Sequence, residues 1–274
     1  KRANWQKVID ECNTFFSNYG SRYHLMYTNK DGVAVSGPDS EGFSPTESYR
    51  RAVRTLFSEM GNNKEMIFYR LDNAAGTMQY DRMPNRSGNT TNYRGGSLLG
   101  ATQEMVDAYF MSNGESPISG YSADGVTPII NEKSDYVEEG VSTAEYKGID
   151  GTLYAPVGTR MMYVNREPRF YASVAYNGSV WHMLNASAED KEETNVPIFY
   201  YRDAQDGYKA GTNYLSTGIG IKKFVHPKDL ADSEKSYDVS RVVQKYAPDI
   251  RYAEILLNYA EALNEVEGSY EIPS

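Results

Sequence analysis

The stretch that most constrains this chain is residues 248–268, Pro-Asp-Ile-Arg-Tyr-Ala-Glu-Ile-Leu-Leu-Asn-Tyr-Ala-Glu-Ala-Leu-Asn-Glu-Val-Glu-Gly. Pro248 and Asp249 stand where a helix start and N-cap belong, and Gly268 stands where a C-terminal stop is expected. Arg251, Glu254, Asn258, Glu261 and Glu265 recur at steps of three and four and form one solvent stripe. The remaining positions make a wide apolar face, in which Ala253, Ala260 and Ala262 let a second helix approach closely. A helix this apolar has to be covered on most sides, and most of the cover is expected to lie outside the chain.

Upstream, residues 3–18 predict a helix with Trp5, Val8, Ile9, Cys12, Phe15 and Phe16 on one face and Gly20 at its end. A Trp near the start followed by apolar residues at helical spacing resembles half of a tetratricopeptide hairpin, although no fixed-period repeat is visible. Residues 23–27 read as a short bridge, and 29–45, with three glycines and two prolines, as a loop. A helix is expected over 46–59 on Ala52, Val53, Leu56 and Phe57, and a buried strand over Glu65–Arg70. Residues 72–98 are polar and turn-rich. A structureless segment of that length inside a domain is usually functional or mobile, and this one mixes tyrosines with Arg, Asn and Thr as adaptable recognition surfaces do. A third helix, opened by Thr102 with Glu104 in its first turn, is expected over 102–111, and 114–160 reads as irregular.

Composition removes several function classes. The net charge of −9, with no basic stripe, argues against nucleic acid. Cys12 is the only cysteine, which excludes an intrachain disulfide and a thiolate metal cage and leaves a small core residue. There are 24 Tyr against 9 Phe and 2 Trp. Tyr pairs an apolar ring face with a hydroxyl, as sugars pair C–H faces with hydroxyl rims, so a Tyr-rich surface suits them. Packing at helix and loop boundaries is the competing use of each ring. No signal peptide, lipobox or apolar run of ~20 residues occurs. Lys1 is not an initiator methionine and the chain starts inside a helical pattern, so a portion of a longer protein is expected.

The chemistry of catalysis is poorly represented. His24, His182 and His226 are isolated from any partner at ligand spacing. No Gly-x-Ser-x-Gly elbow or Walker-type phosphate loop is present, and Gly218-Ile-Gly-Ile221 lacks the helix of a dinucleotide fingerprint. Glu138-Glu139 and Glu189-Asp190-Glu192-Glu193 read as solvated loop charge, while a glycosidase pair is a matter of separation in space. Asp124-Gly125 offers only a fragment of a calcium loop. The reading is a binding protein without cofactor or metal, not an enzyme.

Arg251–Glu265 resembles the signature helix of the SusD/RagB family. Three more segments resemble that family in the same order. Ala101–Gly114 matches its short Thr-Gln-Glu helix running into an Asn-Gly turn. Asn165–Gly178 matches an Arg-Asp-Pro-Arg-Phe turn followed by a strand and an Asn-Gly turn, with Glu167 in place of the Asp. Gly211–His226 matches a strand carrying Lys-Lys-aromatic. The resemblance implies a mainly α fold, with tetratricopeptide-like helical hairpins packed against a large irregular loop-rich half containing a few short strands. It implies one SusD-like domain, incomplete at its N-terminus, with a scaffold part over 1–60, a ligand-facing part over 61–240 and the returning signature helix over 241–274. It also implies a lipid-anchored outer-membrane protein of the Bacteroidetes cell surface, its lipidated N-terminus outside this chain. Such a protein captures glycan or another nutrient as a hinged lid on a SusC-like TonB-dependent transporter. A surface glycosidase or peptidase, or a lid that binds peptides, is the alternative. In the family the ligand aromatics lie on irregular loops. Physical chemistry selects Tyr80 and Tyr93 as stacking faces, Arg82, Asn92 and Arg94 as polar partners, and Tyr121, in a Gly-Tyr-Ser turn, as the next candidate. Trp181, just past an Asn-Gly turn, reads as packing.

Overall fold

Among the described residues the two longest helices stand near opposite ends of the chain and pack on each other. The computed structural model describes residues 2–28, 34–35, 56, 63–72, 81–82, 96–148, 151–184, 193–204, 207–208, 214–224 and 245–267. Within them, α1 spans Arg2–Tyr19 and the last helix, α4, spans Tyr252–Glu267. Ile9 and Cys12 are buried and Trp5, Val8, Phe15 and Phe16 half-buried, which is the face the spacing predicts. Phe16 meets Tyr252 and Tyr259 edge to face at 6.2 and 5.3 Å, and the Cys12 thiol donates to the Ile255 carbonyl at 4.0 Å. Position 16 against 252 and position 12 against 255 make the pair antiparallel. Among the described residues, α1 therefore packs on a helix from the far end of the chain. Among the described residues the sequential tetratricopeptide hairpin expected of it is not present.

The start of α4 departs from expectation. Pro248 to Arg251 continue a strand, β12 (Lys245–Arg251), paired antiparallel with β3 (Met66–Asp72), and the helix begins at Tyr252. Pro248 is tolerated there because a two-stranded ribbon is all edge, and the register shifts between Pro248 and Ile250, leaving Asp249 in a bulge rather than at a cap. Arg251 accordingly leaves the solvent stripe and donates to the Glu65 carboxylate at 2.8 Å, while Glu254, Asn258, Glu261 and Glu265 are exposed as expected. The strand at β3 is present, but only Met66 is buried; Phe68 is 60% and Leu257, on α4, 70% exposed. A two-stranded ribbon has too little sheet to cover both faces of β3.

Between these ends the described residues form six two-stranded antiparallel pairs. Four are local: β1 (Tyr27–Thr28) with β2 (Ala34–Val35), β4 (Ile118–Tyr121) with β5 (Pro128–Ile130), β6 (Tyr146–Lys147) with β7 (Leu153–Ala155), and β9 (Val180–Leu184) with β10 (Glu193–Pro197). β3 with β12 and β8 (Val174–Ala175) with β11 (Gly220–Ile221) join distant segments. Two short helices complete the set, α2 (Gln103–Asp107) and α3 (Pro168–Ser173). The loop-rich half with short strands is as expected, but the described fold is mixed α and β rather than mainly α. Thr102 caps α2 as predicted, its hydroxyl accepting from the Met105 N–H at 3.3 Å, yet the helix stops at Asp107. The Pro168 turn is helical, forming α3, because Pro168 presets φ at its first position, and the strand expected after it is β8, two residues long, just before the Asn177-Gly178 turn. The helix expected over 46–59 and most of the loop over 29–45 lie outside the described residues.

The core beneath these ribbons is built from tyrosine. Tyr154 stacks on Tyr171 at 4.3 Å and Tyr163 on Tyr176 at 4.4 Å, with Phe170 edge-on to Tyr171 at 5.1 Å. Buried hydroxyls need partners, and these have them: Tyr171 donates to the Tyr163 carbonyl at 2.7 Å and Tyr176 to the Tyr154 carbonyl at 3.0 Å. Much of the tyrosine excess is thus structural rather than a surface for sugars.

Candidate functional site

The Arg-Glu-Pro-Arg-Phe turn uses its charges on the protein itself. Arg166 is fully buried; its guanidinium donates to the carbonyls of Met162 at 3.0 Å, Tyr109 at 2.8 Å and Val106 at 3.3 Å. The last two acceptors lie at and beyond the end of α2; the Tyr109 carbonyl is past the helical ladder, and that of Val106 also accepts from the Tyr109 N–H at 3.2 Å. The cation also sits over the rings of Tyr136 and Phe170 at 5.3 and 5.1 Å. Burial lowers its pKa, partly offset by Tyr136 and Asp107. Glu167 accepts from the Phe110 N–H at 3.0 Å and holds Arg169 bidentately at 2.7 Å. The turn is a clamp between α2 and α3.

A second arrangement fixes the polar segment that the sequence singles out. The Asp81 carbonyl accepts from the N–H groups of both Leu98 and Leu99, at 2.8 and 2.9 Å. The two flanks of residues 82–97 therefore meet at one oxygen. From there the chain is fastened to the body: Gly100 bridges to Gly220, and Ala101 N–H donates to the Ile219 carbonyl at 2.8 Å. A side chain at Gly100 would collide with the Thr217 hydroxyl, so the close approach needs glycine. Arg82 is half-buried with its guanidinium over the Phe224 ring at 5.1 Å, and the Lys223 ammonium lies 5.9 Å from the same ring. Burial lowers the pKa of both cations. At Arg82 the Asp81 carboxylate opposes that shift, whereas at Lys223 the charges of Arg251 and Arg82 add to it.

The chemistry available elsewhere is structural. Among the described residues no group of three or more His, Cys, Asp or Glu is placed to hold a metal ion. The Asp124 carboxylate accepts from the hydroxyls of Ser122 and Thr127, each at 2.6 Å, and from the N–H groups of Val126 and Thr127, each at 2.9 Å. These donors hold its pKa well below the usual carboxylate range and replace the fragmentary calcium reading with a turn.

The order of these segments is that of a known family. The SusD family model, SusD_RagB, matches residues 64–273. The chain belongs to the SusD family. Two solved structures share its fold. The protein BT4246 has a TM-score of 0.66 at 19% identity, over 97% of this chain and 43% of that one. A SusD-like protein, BF3747, from Bacteroides fragilis NCTC 9343 has a TM-score of 0.56 at 22% identity, over 96% of this chain and 40% of that one. The chain spans less than half the length of either. No curated protein matches it in sequence.

In this SusD-family chain, Arg82 and Tyr121 are the predicted site residues that fall among those described. Tyr80, Asn92, Tyr93 and Arg94 lie outside the described residues. Arg82 serves the base of their segment, against Phe224. Tyr121 is half-buried against the tyrosine core, its hydroxyl donating to Asp107 at 2.8 Å, while Asp107 also accepts from Gln103 at 2.8 Å. That hydrogen bond is the chief reason the Tyr121 pKa is pushed up to about 12. The Tyr121 hydroxyl is thus committed to Asp107. Trp181 is 1% exposed, the packing role expected. The residues missed were those that close the segment: Asp81, Leu98, Leu99 and Phe224. The apolar Leu98-Leu99 pair ended by Gly100 was a readable sign of a return to the body.

Proposed function

We propose that this SusD-family protein captures extracellular glycan at the bacterial cell surface, by binding and not by turnover, and passes it to a TonB-dependent outer-membrane transporter. Family membership supports the class. The observation that carries the site is the closure at Asp81. It gives a segment rich in Tyr, Arg and Asn two fixed ends on the body. In the sequence Tyr80 immediately precedes Asp81 and Tyr93 lies five residues before Leu98, so both belong to the segment that this junction closes. Ring stacking on sugar C–H faces supplies the apolar contact, and Asn92 and Arg94 supply hydrogen bonds to hydroxyls. The transporter partner and a lipid anchor follow from the family alone; no helix among the described residues is long and apolar enough to cross a membrane. The test is titration of the purified chain against a glycan array, with a parallel assay for released reducing sugar. Binding without turnover is the expected result. Turnover abolished by one carboxylate substitution ends the binding-only reading, and peptide binding with an array free of hits ends the glycan reading.

A further inference from the structure

A second surface carries aromatic rings in the open. Beyond β10 the chain runs beside the Asn177-Gly178 turn. Gly178 N–H donates to the Ile198 carbonyl at 2.7 Å, Ile198 N–H to the Ser179 carbonyl at 3.0 Å, and Tyr200 N–H to the Asn177 side-chain oxygen at 2.9 Å. Residues 198–201 alternate accordingly: Ile198 and Tyr200 are 0% and 9% exposed, Phe199 and Tyr201 39% and 59%. The two outward rings lie 6.0 Å apart. The chain then turns, with Asp203 N–H donating to the Tyr208 carbonyl at 3.0 Å, which brings Tyr208 alongside. The Arg202 guanidinium lies over the Tyr208 ring at 5.5 Å, and Tyr208 meets Tyr214 edge to face at 4.8 Å; both rings are exposed. At the Phe199 end a cavity of about 240 Å³ opens between Leu153, Val157, Thr159, Asn177 and Val180.

The chemistry of this stripe selects its occupant. Phe68, Leu71, Ile250 and Leu257, exposed on β3, β12 and α4, are mainly aliphatic, as surfaces that receive another protein element tend to be. The stripe instead presents four rings, three with hydroxyls, which suits ligands that have apolar faces and polar rims. The cavity is below the ~300–1,000 Å³ of a site for a drug-sized ligand, so it takes one ring and not a chain. Arg202 is balanced by Asp203 at 3.9 Å, which disfavours a polyanion. The rings are tilted by 58° and 85° within their pairs, so they form no flat platform for a crystalline surface. We propose that the Phe199–Tyr201–Tyr208–Tyr214 stripe is a second glycan site, taking a soluble, neutral oligosaccharide or polysaccharide chain with one sugar seated in the cavity beside Phe199. The inference rests on the glycan reading above but uses residues separate from the 72–98 segment.

The experiment is affinity electrophoresis of the whole chain through gels containing amylopectin, xyloglucan, galactomannan, polygalacturonate or suspended microcrystalline cellulose. Retardation by at least one neutral soluble polysaccharide is expected. Tyr201→Ala and Tyr208→Ala each weaken it roughly 3- to 10-fold, while Tyr201→Phe, which keeps the ring, stays close to wild type. Circular dichroism and Tm remain unchanged for these exposed positions. The Tyr80→Ala/Tyr93→Ala double variant retains residual retardation that Tyr201→Ala then removes. If the stripe variants bind as wild type while the loop variants weaken, the second site is wrong and the glycan reading stands. If the wild type binds none of the glycans, both are wrong. Retardation by polygalacturonate or cellulose alone overturns the neutral, soluble class. A change in self-association by sedimentation, with glycan binding intact, makes the stripe a protein contact instead.

Discussion

A guanidinium with no water around it is held here by three carbonyl oxygens and two aromatic faces. Removing the cation leaves buried acceptors unsatisfied and a void, so Arg166→Ala is expected to cost about 3–5 kcal/mol in urea unfolding. Arg166→Lys recovers only part of this, since an ammonium lacks the planar fork. The tyrosines around it set an alkaline limit. Burial pushes Tyr136 up to about 12 and Tyr171 and Tyr176 further, the last two with added repulsion from neighbouring tyrosines. An unfolded tyrosine ionises near ~10. Stability is therefore complete below about pH 10 and falls as pH rises above it, because the unfolded chain loses protons that the native one keeps. Exposed tyrosines such as Tyr201 ionise first, and the remaining rise in tyrosinate absorbance, from the buried rings, is expected in step with loss of near-UV circular dichroism; full ionisation of a still-native protein would refute this. These rings also show where residue-level reading runs out. Tyr163 and Tyr201 are the same letter, and nothing in it says which one faces water. At Ile198-Phe199-Tyr200-Tyr201 the inward and outward positions are all apolar or aromatic, so a period of two leaves no mark in the sequence.

At the level of elements, caps and periodicity located α1, α2 and the body of α4 because helix signals are local. The helix start at Pro248 was misread because the competing signal, pairing with β3, comes from some 180 residues earlier in the chain. The α1–α4 seam gives a direct check. Cys12 is buried there, and burial, with Glu11 adding, pushes its thiol pKa up. Its alkylation at neutral pH is expected to be roughly 100-fold slower in the native chain than in urea. Tyr259→Ala, which removes the ring against Phe16, should accelerate it; a rate equal to that of the unfolded chain would place Cys12 outside the seam. The segment closed by Asp81 carries its own prediction. Tyr80→Ala and Tyr93→Ala should each weaken glycan binding by ~1 kcal/mol or more in calorimetric titration with little change in Tm. Wild-type affinity in both moves the first site elsewhere.

For the whole molecule, the family was legible because four segments kept their order, while the placement of the site was not, because a closed loop declares its ends only in space. Phe68 and Ile250 face each other in the β3–β12 register and both are exposed. Isolated, the chain is expected to self-associate through this surface. Phe68→Glu with Leu257→Lys should return it to a monomer by light scattering with Tm changed little, and unchanged association would point to another surface. In membranes, co-purification with the neighbouring transporter in mild detergent is the expected outcome, and its failure counts against the uptake reading. The junction at Asp81 has one more consequence. Both flanks close on a main-chain oxygen, so the junction itself calls for no particular side chain. Doubling the length of such an insert costs only about 0.6 kcal/mol in closure entropy. Recombination or drift can thus rewrite that cassette wholesale and, on the reading proposed above, alter what the protein recognises while its scaffold is inherited unchanged.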